Sequence, residues 1–197
     1  MYKNVGEIKL KEIEVLVELY DDINIVKEKL KKFKYKGTKT VIDEYYYDPK
    51  RDNLKPDRNN KIYNCLRLRE KEGVYTITFK DDIYENEKWI YSNEHETKIE
   101  SINAMRQIFK NLGLIKFIDI NNIKETYEFG QFEIVLENVK DLGAFLEVEY
   151  CTDEDVNVKG IKEKIYKFIE DLGINVSEEL NMGKPEMYLK KHGITLK

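Results

Sequence analysis

Alternation of apolar and polar residues, the pattern of a β-strand with two different faces, recurs along most of the chain. In residues 8–19, one face carries Val15 and Val17. The opposite face carries Glu12 and Glu14. The same reading predicts further strands at residues 38–48, 64–70, 73–80, 93–97, 125–139 (a hairpin that turns at Gly130) and 143–150. These many short strands predict a sheet that is mainly antiparallel.

Four other segments have the helical spacing of apolar residues instead. They are residues 21–33, 101–113, 159–173 and 185–192, with Gly113 and Gly173 as C-terminal caps. Residues 49–61 are polar and contain two of the three prolines, which predicts a mobile loop. Strands combined with helices in this way predict an α+β fold.

The polar faces of the predicted strands carry full charges rather than neutral polar groups. The charged residues are Glu12, Glu14, Arg67, Arg69, Lys80, Glu94, Glu96, Glu133, Glu137, Glu147 and Glu149. On a single strand such charge is ordinary, because an antiparallel sheet commonly has one face in water. If the sheet closes into a barrel with helices outside, however, these side chains point into the lumen. Carboxylates there could bind Mg²⁺ or Mn²⁺ and arginine forks could neutralise phosphate oxygens, so the lumen would suit a polyphosphate with its metal ions.

Composition narrows the class of protein further. The chain has 197 residues, which predicts one ordinary domain over residues 1–197, and its 34 basic against 38 acidic residues give a formal net charge of −4. A general nucleic-acid binder should be clearly basic, so none is expected. No apolar run approaches the roughly 20 residues that span a bilayer, the first residues do not resemble a signal peptide, and two cysteines are too few for a disulfide framework. We therefore expect a cytoplasmic protein without a membrane partner.

Seven short motifs follow one another at fitting spacings from residue 11 to the C-terminal helix. They are Glu12-Ile-Glu14, Glu44-Tyr-Tyr-Tyr-Asp48, Leu66-Arg67-Leu68-Arg69, Thr78-Phe-Lys80, Glu94-His-Glu96, Glu137-Asn-Val139 and Leu142-Gly-Ala-Phe-Leu-Glu147-Val-Glu149. Each motif alone is weak. The ordered set resembles the CYTH family, also called the triphosphate tunnel metalloenzymes, which includes class IV adenylyl cyclases and thiamine and inorganic triphosphatases. The resemblance implies a closed or nearly closed antiparallel β-barrel whose helices pack outside a charged tunnel.

The resemblance also implies an activity and the residues that carry it. The implied enzyme acts on a nucleotide, thiamine or inorganic triphosphate with Mg²⁺ or Mn²⁺, as an adenylyl cyclase or as a triphosphatase, and a homodimer is a candidate assembly. The implied catalytic residues are Glu12, Glu14, Arg69 and Lys80. The implied substrate-binding residues are Arg67, Arg69, Lys80 and Lys124. The implied metal ligands are Glu12, Glu14, Glu94, Glu96, Glu137, Glu147 and Glu149.

Three positions depart from the family's pattern. Where the family has a cation, this chain has Leu16 on the first strand, Ser92 ahead of the paired glutamates and Asn122 before the hairpin. Each lost charge-assisted phosphate contact would typically cost about 1.5–3 kcal/mol. The alternative is therefore a catalytically weakened protein of the same fold that binds metal or a phosphorylated ligand without turnover. Neighbouring lysines could replace the missing charge, and the candidates are Lys9, Lys98 and Lys116.

Overall fold

Eight strands close into an antiparallel barrel in the computed structural model, which describes residues 10–196. The strands of this described part are β1 (Leu10–Glu18), β2 (Lys34–Tyr47), β3 (Asn64–Lys71), β4 (Val74–Glu85), β5 (Lys88–Ile99), β6 (Ile115–Phe129), β7 (Phe132–Val139) and β8 (Gly143–Thr152). Neighbouring strands pair in the order β1-β5-β4-β3-β2-β6-β7-β8, and β8 pairs back to β1. The predicted closed antiparallel barrel and the α+β class are confirmed.

Four helices and a short 3-10 turn complete the described chain. The helices are α1 (Ile23–Leu30), α2 (Ile102–Leu112), α3 (Val158–Leu172) and α4 (Lys184–His192). Helices α2 and α3 end at Gly113 and Gly173, each in the left-handed conformation that glycine adopts without strain. The 3-10 turn, Asp52–Leu54, lies within the predicted loop at residues 49–61. Between residues 10 and 196, no helix is long and apolar enough to cross a membrane.

Three strands begin earlier than the sequence pattern predicts. Strand β2 begins at Lys34, β5 at Lys88 and β6 at Ile115, whereas the pattern predicts starts at residues 38, 93 and 125. Most of each extra segment pairs with a long neighbour, β2 with β6 and β5 with β4. The partner strand satisfies the backbone hydrogen bonds of these segments. A strand can therefore include polar residues that interrupt the apolar alternation.

The outward faces of the strands form the apolar core beneath the helices. Val15 and Val17 of β1 belong to one buried cluster. Ile165 and Ile169 of α3 belong to the same cluster. A second cluster includes Phe109 of α2 and joins that helix to β3. The apolar side of each amphipathic strand is therefore used against a helix, which leaves its charged side for the lumen.

Helix α4 covers one end of the lumen. The inward faces are apolar at this end, where Leu16, Tyr45 and Phe145 belong to one buried cluster. Met187 and Tyr188 of α4 pack against that cluster. The charged part of the lumen is thus bounded on one side by an apolar floor and by the first turn of α4.

Candidate active site

A cavity of about 180 Å³ lies inside the barrel, and charged side chains line it. Nine of the residues predicted to form the site line this cavity, namely Glu12, Glu14, Glu94, Glu147, Glu149, Arg67, Arg69, Lys80 and Lys124. Glu137 is fully buried beside Lys124, and the side chain of Glu96 is 40% exposed near Arg67. The fold thus brings every residue of the predicted site into or next to one cavity.

Antiparallel pairing aligns three carboxylates on the wall that β1 and β8 form. Glu14 lies directly opposite Glu149, and Leu16 lies opposite Glu147. Because alternate residues of a strand share a face, Glu147 and Glu149 point into the lumen together with Glu14. One oxygen from each of these three carboxylates lies within 4.8 Å of the others. A single cation can therefore contact all three.

Glu14 and Glu149 have no basic partner in the described chain. Between residues 10 and 196, no Lys or Arg nitrogen lies within 4.0 Å of either carboxylate, although Glu14 is only 6% exposed. Burial, followed by the neighbouring Glu147 carboxylate, raises the pKa of Glu14 well above its usual range. Burial, followed by Glu12, does the same to the pKa of Glu149. A buried carboxylate without a counter-ion is costly, so this cluster favours the binding of a cation.

Lys80 of β4 extends past β5 to the acidic wall and forms ion pairs with Glu12 and Glu94. Its Nζ lies 3.1 Å from Glu94 Oε2. Burial would raise the pKa of Glu12, but the charge of Lys80 and the hydrogen bonds with Glu94 and Lys80 together lower that pKa to about 2. These two carboxylates already share a cation, in contrast to Glu14 and Glu149.

Two arginines on β3 form the opposite wall. Arg69 makes a bidentate pair with Asp43 of β2, with Nε 2.7 Å from Oδ1 and Nη2 2.9 Å from Oδ2. Nη2 of Arg67 lies 3.5 Å from Glu94 and 3.6 Å from Glu96. The buried Nε of Arg67 has no hydrogen-bond partner among the described residues. That nitrogen is available as a donor to an anionic ligand in the cavity.

Lys124 and Lys184 share two carboxylates near α4. Nζ of Lys124 lies 2.6 Å from Glu137 and 3.7 Å from Glu147. Nζ of Lys184 lies 2.7 Å from one oxygen of each of the same two residues. Burial would raise the pKa of Glu147, but Lys124 and Lys184 hold it well below its usual range. Two cations therefore balance two carboxylates in this part of the site.

Asp43 and Lys184 line the cavity but are not among the residues predicted for it. Asp43 shares the inward face of β2 with Tyr45 and lies directly opposite Arg69 in the β2–β3 register. Its alternation with Tyr45 is visible in the sequence, but the pairing that sets it against an arginine is not. Lys184 has no such signal, because it lies in the first turn of α4 and not on an alternating strand.

The three neutral positions are buried in this arrangement. Leu16 is 2% exposed within the apolar cluster beside α4, and Asn122 is 3% exposed. Ser92 donates a hydrogen bond of 2.6 Å to Asp82 and accepts one of 3.1 Å from Trp89 Nε1. Burial raises the pKa of Asp82 to about 6. The structure thus fills position 16 with apolar packing and position 92 with a hydroxyl that hydrogen-bonds to Asp82 and Trp89.

The lysines expected as replacements for the missing charge do not line the cavity. Lys98 is exposed on β5. Lys116 pairs with Asp119 at 3.0 Å, and both are partly exposed. Lys9 lies outside the described residues. Any additional cation in the cavity must come from elsewhere, and the described chain supplies the buried Lys184 and the exposed Lys71.

The lumen therefore combines two chemistries within one small space. Carboxylate oxygens are the ligands that hard divalent cations prefer. Arginine and lysine are the usual partners of phosphate oxygens. Because the cavity has a cation-poor acidic cluster on one wall and basic groups on the other, it suits a multiply charged anion that binds with a divalent cation.

Comparison with known proteins agrees with this chemistry. The CYTH domain model matches residues 10–180. A Methanocaldococcus jannaschii protein named "Putative adenylate cyclase MJ0240" is 32% identical over 187 residues, which cover 92% of this chain and 95% of that protein. The match to the family model includes all eight strands that build the cavity.

Two solved structures share the fold. The PH1819 protein of Pyrococcus horikoshii OT3 superposes with a TM-score of 0.75 at 24% identity, over 90% of this chain and 99% of that one. The Hippeastrum protein HpAC1, a "putative adenylyl cyclase" that "reveals a dominant" triphosphatase activity, superposes with a TM-score of 0.65 at 15% identity, over 94% and 97%. The family model matches most of this chain, and the M. jannaschii relative is similar to nearly all of it. This chain therefore belongs to the CYTH family.

Proposed function

We propose that this protein is a divalent-metal-dependent enzyme that acts on a triphosphate inside its barrel. The observation that carries the proposal is Glu14, a buried carboxylate without a basic partner in the described chain, clustered with Glu147 and Glu149 opposite a basic wall. An acidic cluster of this kind is unfavourable by itself. A divalent cation would compensate it, and the cation would in turn help to hold a polyanion.

Glu14, Glu147 and Glu149 are the best placed of the predicted metal ligands, and they would hold Mg²⁺ or Mn²⁺. Their oxygens lie close enough together to share one ion. The ion supplies charge neutralisation and orientation of the triphosphate when it is bound. Glu12 and Glu94 remain ligand candidates, but in this structure they are paired with Lys80.

The basic side chains would bind the phosphate oxygens. Arg67 and Arg69 offer planar forks on β3, and Lys80 and Lys124 offer point charges on β4 and β6. Each is now paired with a carboxylate, so each would exchange that carboxylate for a phosphate oxygen when the ligand enters. This exchange orients the triphosphate between the two walls and excludes water from its charged groups.

Hydrolysis is the reaction that the cavity favours. In a triphosphatase, water attacks the terminal phosphorus, so only the phosphate chain must enter. In a cyclase, the ribose 3′ hydroxyl attacks the α-phosphorus and pyrophosphate leaves, so the nucleoside must enter as well. The cavity of about 180 Å³ is smaller than the 300 Å³ or more that drug-sized ligands usually occupy. Cyclisation is the second candidate, because the M. jannaschii relative carries an adenylate cyclase name.

The test is product analysis with ATP, thiamine triphosphate and tripolyphosphate, each with Mg²⁺ or Mn²⁺. Orthophosphate release is expected, and cyclic AMP with pyrophosphate would instead identify the cyclase. Arg69→Ala should reduce the rate about 100-fold, since it removes a positioned phosphate donor. Arg58→Ala, an exposed arginine in the loop before β3, is the matched control and should keep the rate.

Two negative outcomes have different meanings. Metal-dependent binding of tripolyphosphate without any product would replace the enzyme with the alternative, a CYTH-fold protein that binds a phosphorylated ligand. Absence of both binding and product, in a folded sample with either metal, would contradict a triphosphate function altogether.

A further inference from the structure

We propose that Lys184 of α4 is a substrate-binding residue, which supplies the tunnel with the positive charge that Leu16 of β1 does not. The inference rests on the proposed function and adds to it a residue that no strand motif contains. It also gives α4 a part in ligand binding beyond covering the lumen.

The position of the Lys184 ammonium carries this assignment. Its Nζ lies 2.7 Å from an oxygen of Glu137 and 2.7 Å from an oxygen of Glu147. In the pairing of β1 with β8, Leu16 lies directly opposite Glu147. A basic side chain at position 16 would therefore meet the same carboxylate that Lys184 now reaches from α4. A cation presented by α4 and one presented by β1 would therefore reach the same place in the lumen, next to Glu147.

The surroundings of Leu16 explain why the charge comes from the helix. Leu16 is 2% exposed and belongs to the apolar cluster against which Met187 and Tyr188 pack. This packing holds α4 over the end of the lumen, and a charged residue at position 16 would weaken it. Helix α4 therefore packs against the cluster that contains Leu16 and brings its own cation to the cavity.

The start of α4 is well fixed, so Lys184 is presented in a defined place. Pro185 occupies the first turn, where its fixed φ suits a helix start. The Glu186 carboxylate accepts hydrogen bonds from the backbone N–H of Gly183 and, at 2.8 Å, from that of Ile62. These contacts cap the start of α4 and tie it to the loop before β3. A pre-positioned cation loses little freedom when it binds a phosphate.

The ion pairs of Lys184 can be exchanged without leaving a buried charge alone. Glu137 and Glu147 are also within 4 Å of Lys124, so they keep one cation if Lys184 turns to a phosphate oxygen. Glu147 belongs in addition to the acidic cluster with Glu14 and would then be shared with a divalent cation. A ligand can therefore recruit Lys184 without leaving either carboxylate unpaired.

The experiment is calorimetric titration with tripolyphosphate in the presence of Mg²⁺, comparing the wild type with Lys184→Gln. The amide keeps a hydrogen-bond donor but loses the charge. We expect affinity to fall about 10- to 100-fold, the usual worth of one charge-assisted hydrogen bond. Lys184→Arg should stay within about tenfold of the wild type. Lys190→Met, an exposed lysine on the same helix, is the control and should bind like the wild type.

A rescue separates charge from structure. In the variant Leu16→Lys with Lys184→Gln, the cation is returned to the lumen from β1, and affinity should recover at least in part. A merely structural role of Lys184 would not be rescued in this way. Urea unfolding of each variant verifies the fold, and Lys184→Met takes the place of Lys184→Gln if the latter does not fold.

The outcomes distinguish this inference from the function on which it rests. Unchanged tripolyphosphate affinity in a folded Lys184→Gln or Lys184→Met variant would overturn the role of Lys184 while leaving the proposed function intact. No binding by the wild type with either metal would remove the proposed function first.

Discussion

Two glutamates on this barrel are equally buried and yet in opposite electrostatic situations. Glu44 on the outer face of β2 is 4% exposed, and Glu14 on the inner face of β1 is 6% exposed. Arg106 of α2 holds Glu44 with a guanidinium fork, and the Tyr46 hydroxyl donates a hydrogen bond of 2.6 Å to it. Glu14 has oxygens of two other carboxylates within 4.8 Å and no ion pair within residues 10–196. Burial would raise both pKa values, but Arg106 lowers that of Glu44 while Glu147 helps to raise that of Glu14.

The difference separates a carboxylate with a structural partner from one that we propose binds a metal ion. The charges of Glu44 and Arg106 neutralise each other. The pair therefore fixes α2 to the barrel, and neither group is available to a ligand. The unpaired Glu14 carboxylate destabilises the folded state when no cation is bound. A bound cation would remove this destabilisation, as is common at functional sites. Burial and residue type do not distinguish the two, whereas the partners do.

The largest expected effect comes from breaking the structural pair. Arg106→Ala would leave Glu44 buried without a cation, which should lower the free energy of unfolding by about 3 kcal/mol, the lower end for a broken buried pair because Arg106 is partly exposed. Urea unfolding in EDTA measures it. Lys167→Ala, which removes an exposed pair with Asp171, is the control and should change stability by less than about 1 kcal/mol. Similar values for both variants would contradict the structural role of Arg106.

A third buried carboxylate, Glu186 of α4, tests the comparison through pH. It accepts two backbone hydrogen bonds but has no ion pair in the described chain, and burial raises its pKa to about 7. The folded state therefore holds this proton more tightly than the unfolded state does. The resulting stability is complete below about pH 4.5 and is lost as the pH rises through about 7.

Glu186→Gln should remove this pH dependence. Unfolding free energies measured in EDTA between pH 4.5 and pH 8 should fall about 2 kcal/mol less in the variant than in the wild type. Glu163→Gln is the control, because that carboxylate of α3 is exposed. Parallel curves for Glu186→Gln and the wild type would show that Glu186 titrates normally.

The smallest expected change in stability is informative because it should have opposite signs for the two glutamates. In metal-free protein at pH 8, Glu14→Gln should raise the free energy of unfolding by about 1 kcal/mol, because it removes a buried charge from a group of like charges. Glu44→Gln should lower stability, since it removes a charge-assisted pair. Urea unfolding in EDTA gives both numbers, and destabilisation by both substitutions to the same extent would erase the distinction drawn between the two residues.

Alternation along the strands made most of the site predictable. Glu12 and Glu14 share a parity, as do Arg67 and Arg69, and closure of the barrel turns each such face inward. A closed barrel also needs elements that bury its outer apolar faces, and the amphipathic helices predicted from the sequence can do so. Parity therefore predicted which side chains face the lumen, without any knowledge of the strand order.

The rest depends on contacts between distant parts of the chain. The motif at residues 44–48 drew attention to Glu44, yet the inward-facing acid of β2 is its neighbour Asp43, which the β2–β3 register sets opposite Arg69. Lys184 is remote in sequence from every motif, and only the docking of α4 brings it to Glu147. The absence of a counter-ion at Glu14 is likewise a property of three-dimensional neighbours, so no one-dimensional pattern contains it.

The most direct test of the central claim is the effect of Mn²⁺ on thermal unfolding of three proteins. In the wild type and in Glu44→Gln, saturating Mn²⁺ should raise the melting temperature, with a stabilisation of about 2.7 kcal/mol at a free metal concentration 100 times the dissociation constant. In Glu14→Gln the shift should be largely lost, although this variant is the more stable one without metal. An equal shift in Glu14→Gln and the wild type, or no shift in a well-folded wild type, would contradict the assignment of the Glu14 cluster as the metal site.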